Sequence, residues 1–144
     1  MQRAIGNLEA AIASYRKALE IRPTYLAANF NMGNILVDKG DLDGAIDSYK
    51  RALEINPDYA EAHSSLGVAF KNKGALDAAI ESYKKALKIR PDFVAASINL
   101  GTALKDKGAT DALIDHYTKA LVVTPDSLKL HLNLSLMLLR CEKF

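Results

Sequence analysis

Residues 26–59 read LAANFNMGNILVDKGDLDGAIDSYKRALEINPDY, and the rest of the chain is built from variants of that stretch. Shifted against itself by 34 positions, the sequence brings four prolines into register: Pro23, Pro57, Pro91 and Pro125. Four glycines follow the same period: Gly6, Gly40, Gly74 and Gly108. Self-similarity at one period in this range marks a repeat array. Each unit of such an array buries its apolar face on its neighbours, and no single central core forms.

Within the unit, Asn29, Met32, Gly33 and Leu36 share one helical face. Gly40 follows, where a residue free to turn left-handed closes a helix at little cost. Ala45, Ile46, Tyr49, Ala52 and Leu53 form the stripe of a second amphipathic helix. Pro57 stops that helix, and Asp58 with Glu61 predicts a capping box at the start of the next. The unit reads helix, short turn, helix, tight turn. Small residues recur where two helices would cross: Gly33, Gly67 and Gly101 on the first helix, Ala45 and Ala79 on the second. Large ones recur beside them: Leu36, Phe70 and Leu104, then Tyr49, Tyr83 and Tyr117. Large against small is the pattern of an interdigitated interface.

A 34-residue helix–turn–helix with small, large and proline positions in this order resembles the tetratricopeptide repeat (TPR) family. The residues that carry the resemblance are Met32, Gly33, Leu36, Ala45, Tyr49, Ala52 and Pro57. They recur as Leu66, Gly67, Phe70, Ala79, Tyr83, Ala86 and Pro91, and again as Leu100, Gly101, Leu104, Leu113, Tyr117, Ala120 and Pro125. The resemblance implies an all-α, right-handed superhelical solenoid of antiparallel helix pairs with about eight helices. Full units fall at 26–59, 60–93 and 94–127. Residues 1–25 hold a second helix alone, and residues 128–144 a first helix alone. The family's tryptophan position is filled by Asn29, His63 and Ser97. Leu113 stands where Ala45 and Ala79 stood, so the third helix pair is expected to be wider, partly compensated by Ala112.

In TPR arrays the face of the first helices opposite the helix crossing lines a concave surface that binds segments of other proteins. The residues this places in the groove are Phe30, Asn31, Asn34, Ser65, Lys71, Ile98, Asn99, Thr102 and Lys105. Phe30 and Ile98 are apolar side chains that a folded unit would leave partly exposed, so they are candidate anchors. Asn31, Asn99 and Asn133 recur at one position, interrupted by Ser65. An amide donates and accepts together, which suits a peptide backbone, and the column resembles the asparagine ladder of O-linked N-acetylglucosamine transferases. Phe30, Ala95 and Asn99 occupy slots where a carboxylate clamp would place a basic group or its partner, so capture of a C-terminal carboxylate is not expected.

The last helix is apolar on every side, which predicts that something covers it. Either the chain is a piece of a longer protein or another chain packs there, with Leu132, Leu136 and Leu139 as the candidate self-association surface. Catalytic chemistry is missing. His63, His116 and His131 have no metal-ligand spacing, and the single Cys141 excludes an intrachain disulfide. No metal or cofactor is implied. A net charge of +2 without a block of like charges indicates no nucleic-acid tail. No apolar run is long enough to span a membrane, and the N-terminus lacks a secretory signal, so a cytoplasmic location is expected. The favoured function is a non-catalytic protein-interaction scaffold. The alternatives are the substrate-recruiting region of a larger enzyme such as a glycosyltransferase, or head-to-tail self-assembly through the terminal helices.

Overall fold

The computed structural model describes residues 2–142, with side chains from Gly6 onward. The outer ends of the two partial units, Met1 and residues 143–144, lie outside the described residues. Eight helices account for the described chain: α1 (Gln2–Ile21), α2 (Leu26–Lys39), α3 (Leu42–Ile55), α4 (Ala60–Asn72), α5 (Leu76–Ile89), α6 (Val94–Asp106), α7 (Thr110–Val123) and α8 (Leu128–Glu142). Each helix packs on the next in order. The first helices also touch across units, α2 on α4 and α4 on α6. They line the inner side of the curve, and the second helices α3, α5 and α7 form its outside.

Both turns of the unit are set by their sequence. Gly40, Gly74 and Gly108 adopt φ of 87°, 88° and 79° and reverse the chain after each first helix. The amide right after each glycine then closes on a carbonyl in the last turn, as Asp41 N on Leu36 O at 2.8 Å and Ala75 N on Phe70 O at 2.9 Å. After each second helix the proline sits second in a four-residue turn, closed by bonds such as Tyr25 N to Arg22 O and Phe93 N to Arg90 O, both 3.1 Å. Two expectations fail here. Helix α4 starts at Ala60 with Tyr59 as its cap residue, so Asp58 is used up in the proline turn and Glu61 pairs with Arg90 instead. Gly6 lies inside α1, so the chain continues as helix through a position that is a turn elsewhere.

The repeated small and large residues meet as a lock. A Cβ added at Gly33 would lie 2.5 Å from the ring of Tyr49, and one at Gly67 the same distance from Tyr83. Glycine is thus required by the neighbouring ring, and the tyrosines are almost wholly buried. The third pair differs, as Leu113 led one to expect. Its leucine is itself buried, and α6 and α7 pack less extensively than α2–α3 or α4–α5. Tyr117 reaches Gly101 with its hydroxyl end, 2.1 Å from the notional Cβ, where the earlier rings present an edge. Ala112 is exposed, so it compensates nothing.

Units are also tied by ion pairs at the repeat period: Glu9 to Lys39 at 2.6 Å, Asp43 to Lys73, and Asp77 to Lys107 at 2.6 Å. The series lapses at the next step, where Asp111 has Cys141 in place of a lysine. All these side chains are largely exposed, so each pair adds no more than about 1 kcal/mol.

Candidate binding groove

The slot that holds tryptophan in the family is used here as a clasp on the preceding turn. Asn29 Nδ2 donates to Pro23 O at 3.0 Å and to Tyr25 O at 3.1 Å. His63 Nε2 bonds Pro57 O at 2.8 Å and His131 Nε2 bonds Pro125 O at 2.7 Å. Each clasp fixes where its first helix begins, and with it the side chains that face the groove. Ser97 is too short to act this way. Its own carbonyl is bonded by His116 Nε2 from α7 at 2.8 Å, and burial pushes the His116 imidazole below its usual range. Sequence spacing singled these residues out only as departures from tryptophan. The signal for their role was the constant six-residue separation from the prolines.

Two clefts open on the inner face. The first, of about 300 Å³, is lined by Asn34, Val37, Asp38, Tyr49, Ser65 and Val68. The second, of about 220 Å³, lies between α6, α7 and α8. Its lining includes Thr102, Lys105, Asp106, Tyr117, Asn133 and Leu136. Each of these is two units on from one residue of the first cleft, in the same order. The groove is therefore periodic in its walls, while the chemistry on those walls changes.

A tyrosine column runs beside the clefts, with Tyr49 in the lining of the first and Tyr117 in that of the second. Tyr49 Oη donates to Asn34 Oδ1 at 2.7 Å. Burial pushes the Tyr49 hydroxyl up to about 12, opposed by a hydrogen bond to Ser65 and reinforced by the charge on Asp38. Tyr117 is raised by burial too, with a hydrogen bond to Asn133 opposing. Tyr83 is pushed up to about 12 by burial alone. Its slot partner is Val68, which accepts nothing, and its hydroxyl has no hydrogen-bond partner among the described residues.

Of the expected groove residues, the structure brings Asn34 and Ser65 together in the first cleft and Thr102 and Lys105 in the second. Phe30 is half-buried and packs on Tyr49 and Tyr59, with ring centroids 5.8 and 4.9 Å apart, so its ring is engaged within the fold. Ile98 likewise packs against the core. Asn31, Lys71 and Asn99 line neither cleft. Of the asparagine column only Asn133 bonds a tyrosine, Tyr117, while Ser65, which interrupts the column, bonds Tyr49 and Asn99 leaves Tyr83 without a partner. Leu132, Leu136 and Leu139 occupy the slots of Phe30, Asn34 and Val37, which places them on the groove side of α8, and all three are exposed. Among the described residues no group of three His, Cys, Asp or Glu side chains could hold a metal, and no helix is long and apolar enough to cross a membrane.

Stacked antiparallel helix pairs with a shared inner face define a helical-repeat solenoid of the kind that recognises other chains. The TPR repeat profile matches residues 1–37, 33–74 and 69–108, and the chain belongs to the TPR family. It is similar to a crystal structure of MamA, with a TM-score of 0.82 at 26% identity over 94% of this chain and 80% of that one. A MamA fragment from Desulfovibrio magneticus RS-1 gives 0.76 at 25% identity, over 85% of this chain and 71% of that one. YrrB, described as a TPR protein with an unusual peptide-binding site, gives 0.76 at 21% identity over 97% and 72%. That last likeness concerns the fold alone. No curated protein matches the chain in sequence.

Proposed function

We propose that this chain is a non-catalytic cytoplasmic scaffold that holds a peptide or protein segment along its inner face. The observation that carries the reading is the pair of clefts, whose walls come from equivalent slots two units apart. A segment lying across α2, α4, α6 and α8 would meet both in sequence. Partly exposed amides and hydroxyls (Asn34, Ser65, Thr102, Asn133) offer donors and acceptors to a peptide backbone. The same surface would serve equally in a free scaffold or in the recruiting region of a larger enzyme.

The test is a peptide array followed by fluorescence polarisation of the hits against Ser65→Arg and Thr102→Arg, each of which fills one cleft. Binding weakened about tenfold or more by either change is expected, a loss of about 1.4 kcal/mol. Unchanged affinity in both, with intact helical content, would place the ligand on another surface.

A further inference from the structure

The two clefts have walls from equivalent slots and opposite net charge. In the first, Asp38 is the only charged lining residue, beside Asn34, Tyr49, Ser65 and the apolar Val37 and Val68. In the second, Lys105 and Arg140 bracket the opening against the single carboxylate of Asp106. Leu136 and Met137 line this cleft, and Leu132 and Leu139 are exposed on the same helix. Lys39, Lys73, Lys107 and Arg90 are all engaged by carboxylates of other helices. Among the described residues neither Lys105 nor Arg140 has such a partner, so the fold does not use them up.

We infer that the α6–α8 end of the groove recognises a segment in which a bulky apolar side chain sits beside an acidic residue. This rests on the groove reading above and adds the chemistry and polarity of its ligand. The apolar side chain enters between Leu136 and Met137, where burial against exposed leucines supplies affinity. The carboxylate pairs with Lys105 or Arg140, and Arg140 offers the fork that a carboxylate fits. The Asp38 end repels acids, so the acidic end of the ligand is directed to α8 and the ligand lies in one orientation. Asp106 faces the same cleft and limits the preference to segments with one or two acids, as a long polyanion would meet it too.

The experiment uses the whole chain and two fluorescein-labelled peptides on a Ser/Gly background. One carries a leucine between two glutamates, the other a leucine between two lysines. The acidic peptide is expected to bind at least about tenfold more tightly than the basic one. Reversing both cations, Lys105→Glu with Arg140→Glu, is expected to abolish that preference, and Leu136→Asp to weaken the acidic peptide about tenfold. All three side chains are exposed, so helical content should not change. Equal affinity for the two peptides overturns the inference. A preference that survives the double reversal but falls with Ser65→Arg also overturns it, and leaves the groove reading standing. Binding insensitive to every one of these changes removes both.

Discussion

The helix pairs α2–α3 and α4–α5 and the trio α6–α8 are made from the same 34-residue pattern, and they differ in how tightly it closes. In the first two pairs an alanine at the crossing lets the helices approach until a tyrosine edge lies against a glycine. In the third, Leu113 takes the alanine's place, Tyr117 meets Gly101 with its tip, the proline-turn clasp is lost at Ser97 and the ion-pair series ends at Cys141. Few residues distinguish a closed joint from one that leaves a cleft with unpaired cations. The cleft between α6, α7 and α8 is where the proposed ligand contacts of this array are placed.

The sharpest way to break the comparison is at the lock. Gly67→Val puts side-chain atoms into the Tyr83 ring and should lower stability in urea unfolding by about 3 kcal/mol. Gly101→Val comes closer still, 2.1 Å from Tyr117 Oη and 2.3 Å from Cζ, but it meets the far end of the side chain, which can swing away, and should cost less than Gly67→Val. Equal losses would mean that the third pair is as closed as the others.

Alkali probes the same rings. The hydroxyls of Tyr49 and Tyr83 ionise at about 12 in the fold, against ~10 in an unfolded chain. A folded value above the unfolded one means that the stability these groups provide is whole below pH ~10 and is lost as pH rises through that window to about 12. The loss should be on the order of 2 kcal/mol per ring. Helical content and tyrosinate absorbance should therefore change together between those values. Tyrosinate forming early, with helix intact, would show that the rings are open to solvent.

Tyr49→Phe and Tyr83→Phe should diverge by about 1 kcal/mol, because the first leaves Asn34 without its donor and the second removes a hydroxyl that has no partner. The smallest effect is expected from Cys141→Lys, which restores the missing partner of Asp111. It should gain a few tenths of a kcal/mol and lose that gain in high salt.

The architecture was legible because it is written four times over. Any one helix of this length is ambiguous, but prolines, glycines and tyrosines in phase are not. The weakness of the third pair was legible as well, in the single change from Ala79 to Leu113. The groove was read less well. Helical phase placed Phe30 on the free face, but phase ignores reach: the ring extends sideways to Tyr49 and to Tyr59 at the end of its own unit. The asparagine column was visible, yet its engagement with the tyrosines depends on the stagger between units, which no single repeat encodes. Leu132, Leu136 and Leu139 were conspicuous as apolar residues, and only their register against Phe30, Asn34 and Val37 turned them toward the groove.

The glycine lock has one more consequence. Helix α8 carries Ser135 at the slot of Gly33, Gly67 and Gly101. A side chain there stands where a tyrosine ring in the pose of Tyr49 or Tyr83 would lie. The exposed end of α8 is thus a size filter: a helix that stacks on it in the register of the inner pairs must present something smaller than tyrosine. The array's own first helix carries Tyr15 in that position. A copy of this chain that docked α1 on α8 in that register would have to move the Tyr15 ring aside.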